Sequence, residues 1–121
     1  KIQVDNSSPD SMLAIYSAFA SLDVKREIDS NEITCNAGDS GGTTVYVDGA
    51  HDPLTGHSRK AFAIVDSITL STQSLKEPIT LIYDDTHVND GVGAYFKILA
   101  LDSGGVRITK VVSWKIRGIV N

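Results

Sequence analysis

Apolar and polar residues alternate near the C-terminal end of the chain, and this is the clearest pattern in the sequence. One set of alternate positions carries Val106, Ile108, Val112, Trp114 and Ile116, and the other carries Arg107, Thr109, Ser113, Lys115 and Arg117. Successive side chains of a β-strand point to opposite faces. The pattern therefore predicts a strand over 106–117 with one face in a core and the other in water.

A second alternating segment lies in the middle of the chain. Phe62, Ile64, Ile68 and Leu70 share one face, which only Asp66 interrupts. Five further segments have the composition of strands: 24–28, 32–35, 43–48, 78–83 and 93–101. The segment 93–101 is apolar on both faces, which is typical of a central strand.

The N-terminal region has a different period. Ser8, Pro9 and Asp10 supply a cap, a proline for the first helical position and an acid for the first turn. The apolar residues that follow recur at steps of three and four: Met12, Ile15, Tyr16, Phe19 and Leu22. This spacing predicts a helix over 9–22.

Turn-forming residues separate the predicted strands at 38–42, 49–56, 84–91 and 102–105. Neither an internal repeat nor a linker divides the chain, so we expect a single domain over 1–121. The predicted fold class is mainly β: an antiparallel β-sandwich or barrel of about seven strands with one N-terminal helix.

The composition of the chain indicates which classes of partner and which covalent or metal sites to expect. The 121 residues carry a net charge of −4, and their Lys and Arg residues are scattered, so neither nucleic acid nor an anionic membrane is an expected partner. No apolar run is long enough to cross a bilayer. Because Cys35 is the only cysteine, an intrachain disulfide and a thiolate-rich metal site are excluded.

The string Gly38-Asp39-Ser40-Gly41-Gly42 is identical to the motif around the nucleophilic serine of trypsin-like proteases. In that family a histidine base and a buried aspartate precede the serine. Here no histidine precedes Ser40, and Thr43 replaces the proline that follows the glycines in the family. We interpret the string as a tight turn between two strands. A serine hydrolase with a new order of residues is the disfavoured alternative.

The segment 79–85, Ile-Thr-Leu-Ile-Tyr-Asp-Asp, is followed by Asn89, Asp90, Gly91 and Tyr95. Residues 79–95 resemble the closing region of bacterial calcium-dependent galactose-binding lectins, in which loop carboxylates and amides hold the calcium that contacts the sugar. The resemblance implies that Asp85, Asn89 and Asp90 bind calcium, together with backbone carbonyls. The alternative interpretation is an exposed turn of ordinary composition.

Five other side chains have chemistry to consider. His51, His57 and His87 lie in predicted loops at spacings that fit no compact zinc site, so we expect solvated histidines. Cys35 is expected to be a small buried apolar residue, and Trp114, in the apolar row of the last strand, is expected in the core.

Three functions remain. The favoured one is a non-catalytic structural or assembly domain, such as a subunit of a virion (phage head or tail) or of an extracellular filament, which needs no cofactor and acts through self-association or contacts with neighbouring subunits. A calcium-dependent carbohydrate-binding module is the first alternative, and a serine hydrolase is the second. An enzyme is not expected, because the sequence offers no complementary set of base, nucleophile and metal.

Overall fold

The computed structural model describes residues 25–74 and 76–121, which form six strands. The strands are β1 (Lys25–Cys35), β2 (Thr43–Tyr46), β3 (Phe62–Ser71), β4 (Thr80–Asp84), β5 (Tyr95–Leu101) and β6 (Lys110–Val120). The helix predicted over 9–22 lies outside the described residues. Within them, no helix has the length and apolar character needed to span a membrane.

The strands form two antiparallel sheets of three strands each. Sheet A has the order β1-β6-β3, and sheet B has the order β2-β5-β4. The prediction of a mainly β, antiparallel fold is confirmed, and so is the central position of β5. The number of strands is smaller than predicted because 24–28 and 32–35 belong to one strand, β1, which pairs with β6 without interruption.

The alternation predicted for the last strand is confirmed within β6. Val112, Trp114 and Ile116 are buried, whereas Lys115 and Arg117 are exposed. The predicted start at residue 106 is wrong.

Residues 102–106 form a turn, so the strand has not begun at residue 106. The carboxylate of Asp102 accepts hydrogen bonds from the amides of Gly104 and Val106, at 2.9 Å each. The side chain of Val106 is consequently 62% exposed, outside the core in which the alternation placed it.

Two irregularities in β3 move Ile64 off the predicted inner face, whereas Phe62, Ile68 and Leu70 lie on it as predicted. The register with β6 shifts between Phe62 and Ile64, and again between Val65 and Ser67. Each bulge adds one residue and reverses the alternation. Phe62 is therefore buried as predicted, but Ile64 is 46% exposed and Val65 replaces it inside.

The two sheets share one hydrophobic core. Every strand except β4 places buried side chains in it, and Leu81 of β4 packs against its margin. At its centre the rings of Phe96 from β5 and Trp114 from β6 meet edge to face, with centroids 6.0 Å apart. Cys35 is buried as predicted, and its thiol donates a hydrogen bond to the carbonyl of Ile98.

Residues 49–61, which we call the cover loop, connect β2 of sheet B to β3 of sheet A. The loop contains a short 3₁₀ helix, Pro53–Thr55, whose first turn is capped by the Asp52 carboxylate. Its carbonyls accept hydrogen bonds from inward-facing side chains of sheet A: Asn31 Nδ2 donates to Pro53 at 2.6 Å, and Trp114 Nε1 donates to Gly56 at 2.7 Å. The loop thereby satisfies polar groups that β1 and β6 point inward.

Gly56 allows this close approach. Its φ is +96°, and a Cβ at this position would lie 2.7 Å from the Cβ of Ile33. Both the left-handed backbone and the contact with β1 require glycine here.

Candidate interaction surface

The two sides of β5 are both largely apolar. Phe96, Ile98 and Ala100 face the core, while Tyr95, Leu99 and Leu101 alternate with them and are only half-buried. Tyr46 of β2 and Ile82 of β4 lie on the same side, opposite Tyr95 and Leu99 respectively. We call Tyr46, Ile82, Tyr95, Leu99 and Leu101 the outer face of sheet B.

Sheet A provides an internal comparison. The outward positions of its central strand β6 are polar in the middle and apolar at the two ends: Val111, Ser113, Lys115, Arg117 and Ile119. This is the usual composition for an antiparallel sheet with one face in water. The outer face of sheet B departs from that composition, since the only polar residue among the outward positions of β5 is Lys97.

Aromatic rings cluster at one end of the outer face of sheet B. Tyr46 and Tyr95 meet at 5.8 Å between centroids. His51 is stacked on Tyr46 at 3.5 Å with an interplanar angle of 4°, and the edge of His57 meets the same tyrosine at 5.1 Å. His87 is stacked on Tyr95 at 5.2 Å. We call these five residues the aromatic cluster.

The carboxylate of Asp48 holds together the chain segments that carry the aromatic cluster. It accepts hydrogen bonds from the amides of Ala50 at 3.1 Å and Gly93 at 3.0 Å, and it pairs with His51 Nδ1 at 3.2 Å. Burial acts to raise the pKa of Asp48, but the hydrogen bonds from Ala50, His51 and Gly93 outweigh it and hold the pKa below its ordinary value. One buried charge thus fixes the end of β2, the cover loop and the 85–94 loop together.

The orientation of the His57 ring follows from its backbone partner. The amide of Tyr46 donates to His57 Nδ1 at 3.1 Å, so this nitrogen carries a lone pair and the proton of the neutral ring lies on Nε2. Burial lowers the pKa of His57, and the nearby charge of His51 lowers it further, against the opposing effect of Asp48 and Asp52. His57 is consequently a neutral ring at pH 7.

A polar groove of about 560 Å³ lies beside the aromatic cluster, between the β1–β2 turn and the cover loop. Ser40, Thr55, His57 and Lys97 are among its lining residues. The structure therefore brings the serine of the protease-like string to the same groove as a histidine.

The arrangement around that serine differs from a catalytic triad. Among the described residues, Ser40 and His57 are not hydrogen-bonded to each other, and His57 Nδ1 accepts from an amide where a triad histidine donates to a carboxylate. The string itself forms a turn between β1 and β2, as predicted, closed by a hydrogen bond from the Gly42 amide to the Asp39 carbonyl.

The three predicted calcium ligands lie in one loop after β4, but their contacts differ. Asn89 Oδ1 accepts a hydrogen bond from the amide of Val65 at 2.8 Å, which ties the loop to the bulged strand β3. Asp90 Oδ2 pairs with His87 Nδ1 at 2.7 Å. The backbone carbonyl of Asp85 accepts from the Val88 amide.

The carboxylate of Asp84, at the end of β4, also has hydrogen-bond partners in the loop. Hydrogen bonds from the Thr86 hydroxyl and amide lower the pKa of Asp84. Across residues 25–74 and 76–121, no three or more His, Cys, Asp or Glu side chains are grouped so as to hold a metal ion. The calcium site at Asp85, Asn89 and Asp90 stays a prediction.

Sequence reasoning missed the aromatic cluster because it treated each histidine as a separate loop residue. The sequence does contain one indication of this surface. Segment 93–101 is apolar on both faces, so its strand has an apolar face that does not point into the core. Comparison with known proteins returns no match: no family model fits the chain, and neither a curated protein nor a solved structure is significantly similar to it. The functional inference therefore rests on the chain's own residues.

Proposed function

We propose that the protein is a non-catalytic assembly module, folded as a β-sandwich, that associates with further copies of itself through the outer face of sheet B. The observation that carries this proposal is the apolar outward side of β5, where Leu99 and Leu101 stand in place of the polar residues found on β6. Exposed apolar side chains grouped on one face mark interaction sites on soluble domains. A subunit of a virion or of an extracellular filament fits a protein with this surface.

The composition of the face suits a protein interface. Tyrosine rings such as Tyr46 and Tyr95 contribute large contact areas at little cost in side-chain entropy, and they are enriched among the residues that dominate binding energy. Lys97 and Asp84 lie opposite each other on β5 and β4, between the tyrosine pair and the aliphatic residues, and they give the face a charged pair that a partner can recognise.

The edge of sheet B extends this surface. In the described part of the chain, β4 pairs only with β5, and its side chains Ile82 and Tyr83 are 42% and 43% exposed. An edge strand offers unpaired backbone groups to a strand from another chain. Self-association is therefore favoured along β4 as well as on the face beside it.

Light scattering after size-exclusion chromatography, over a range of protein concentrations, tests the proposal. We expect the wild type to associate reversibly and Ile82→Lys to weaken its association at least about tenfold, as loss of an important interface residue does. Val111→Lys is the matched control, since Val111 is also an exposed aliphatic residue (53%, against 42% for Ile82) and lies on the outer side of sheet A.

A strict monomer at the highest attainable concentration contradicts self-association. An equal effect of the two lysine variants would show that the outer face of sheet B has no special role.

A calcium-dependent carbohydrate-binding module is the second candidate. The observation that favours it is the stacking of His87 on Tyr95 directly beside the acidic loop that holds Asp85 and Asp90. Protein sites for calcium use carboxylate and carbonyl oxygens, and an adjacent aromatic ring offers the apolar face of a sugar a surface to stack on.

Thermal unfolding with and without calcium tests this candidate. A ligand that binds only the folded state raises the melting temperature, so calcium should raise it and equal magnesium should not. Asp85→Asn should abolish the calcium effect. If calcium changes neither the melting temperature nor retention on a galactose resin, this candidate is rejected.

A further inference from the structure

The cover loop is attached to sheet A by two kinds of hydrogen bond. The Asp29 carboxylate of β1 accepts from the Ser58 hydroxyl and the Arg59 amide, and neutral side chains of β1 and β6 donate to carbonyls of the loop. The carbonyls of Pro53 and Gly56 accept hydrogen bonds from the Asn31 amide and the Trp114 indole. Trp114 is 1% exposed, and the loop carbonyl is the hydrogen-bond partner of its indole N–H. The loop is thus the lid over the one polar atom of the largest core side chain.

The attachment to sheet B has a different character. Two hydrogen bonds join the loop to Tyr46 of β2: the Ser58 amide donates to the Tyr46 carbonyl at 2.9 Å, and the Tyr46 amide donates to His57 Nδ1 at 3.1 Å. The second bond requires a lone pair on Nδ1. A protonated imidazole carries N–H on both nitrogens, so it would place a donor against the Tyr46 donor.

Among the described residues, the hydrogen-bond acceptor of the Tyr46 amide is His57 Nδ1. Six titratable or charged groups lie around the ring: Tyr46 and His51, whose rings it meets, Asp48 and Asp52, whose charges act on it, and Asp39 and Lys97, which line the same groove. The groove-lining residues of β1, Ile33 and Thr34, are uncharged. The Asp48 carboxylate is already bonded to two amides and to His51.

We propose that His57 is a pH-sensitive latch: when Nδ1 takes up a proton, its bond to the Tyr46 amide is lost and the loop around His57 moves away from β2. The indole of Trp114, which donates to the neighbouring Gly56, then becomes exposed to solvent. The strands remain paired, because the loop contributes no rung to the β1–β6 or β2–β5 ladders. The latch does not depend on the assembly function proposed above.

Trp114 is the only tryptophan, so its fluorescence reports the opening directly. We expect its emission to move to longer wavelength as the pH falls through the range below about 6.5, the ordinary histidine pKa. Far-UV circular dichroism should keep its β-sheet spectrum over the same range.

His57→Asn is the decisive variant, because an asparagine oxygen can accept from the Tyr46 amide near the Nδ1 position and does not titrate. This variant should show no shift in emission. His87→Asn is the matched control: it removes an exposed histidine of the same aromatic cluster and should shift as the wild type does. An unchanged wild-type emission, or an equal shift in His57→Asn, overturns the latch.

A measurement on the wild type keeps the proposal testable if His57→Asn does not fold. In an NMR titration, the His57 ring, the Tyr46 amide and the Trp114 indole N–H should move with one midpoint, below the ordinary histidine pKa. If the indole and the amide follow the midpoint of His51 instead, or do not titrate, the latch is refuted.

Discussion

Gly118 lies inside β6, opposite the bulge of β3, and its replacement by alanine tests the packing of the two strands. A Cβ at this position would overlap the carbonyl oxygen of Ile64 and would lie 2.9 Å from the Cα of Val65. These are backbone atoms, so no side-chain rotation relieves the clash. Strand β3 must move away from β6, or the bulge must be rebuilt.

The expected size of the effect follows from two opposing terms. Alanine restricts the unfolded chain more than glycine does, which stabilises a protein by about 0.4–1 kcal/mol where the native backbone is compatible. Overpacking of a well-packed interior costs about 1–3 kcal/mol, and the backbone contact places Gly118→Ala at the upper end of that range. We therefore expect a net loss of about 2 kcal/mol in the free energy of unfolding.

Urea denaturation measures this loss. With a slope of about 2 kcal/mol per molar urea, the midpoint should fall by about 1 M while the slope stays unchanged. Gly38→Ala is the control, since a Cβ there has no neighbour within 4 Å. If Gly118→Ala is as stable as Gly38→Ala, the strands do not approach as described and the reasoning is refuted.

Three further predictions concern the loops. Because the pKa of Asp48 is lowered from 3.8, its contribution to stability is complete above that pH and is lost as the pH falls below it; Asp48→Asn should flatten the acid branch of the melting temperature against pH. Asn89→Ala removes the acceptor of the Val65 amide and should lower the free energy of unfolding, measured by urea denaturation, by about 1–3 kcal/mol. Asp85→Ala, which removes no such bond to β3, should change it little. A fluorophosphonate probe should not label the protein; labelling of wild type but not of Ser40→Ala would establish a serine hydrolase.

Strands could be predicted wherever apolar and polar residues alternate without interruption along the sequence. Val112, Trp114 and Ile116 occupy the core as the sequence indicates. The two halves of β1 looked separate because polar residues, Asp29 and Asn31, lie between them. Both point inward, where the cover loop supplies their partners: Asp29 accepts from Ser58 and Arg59, and Asn31 donates to Pro53.

The faces of β3 could not be predicted from alternation alone. Each bulge is fixed by contacts with β6, including the close approach to Gly118, and these contacts are distant in sequence. The same limit applies to the candidate site. His51 and His57 meet on Tyr46 because the cover loop turns back over β2, and no spacing along the chain encodes that return.

The bulges of β3 also bear on how the molecule avoids uncontrolled aggregation. A bulged edge cannot present a regular row of amides and carbonyls to another chain, and Asp66, the extra residue of the second bulge, carries a charge at that edge. Strand β4, by contrast, keeps a regular register over all five of its pairs with β5. Of these two edges, β4 keeps the regular backbone that a further strand needs and β3 does not, so a strand from another chain is directed to β4 and away from β3.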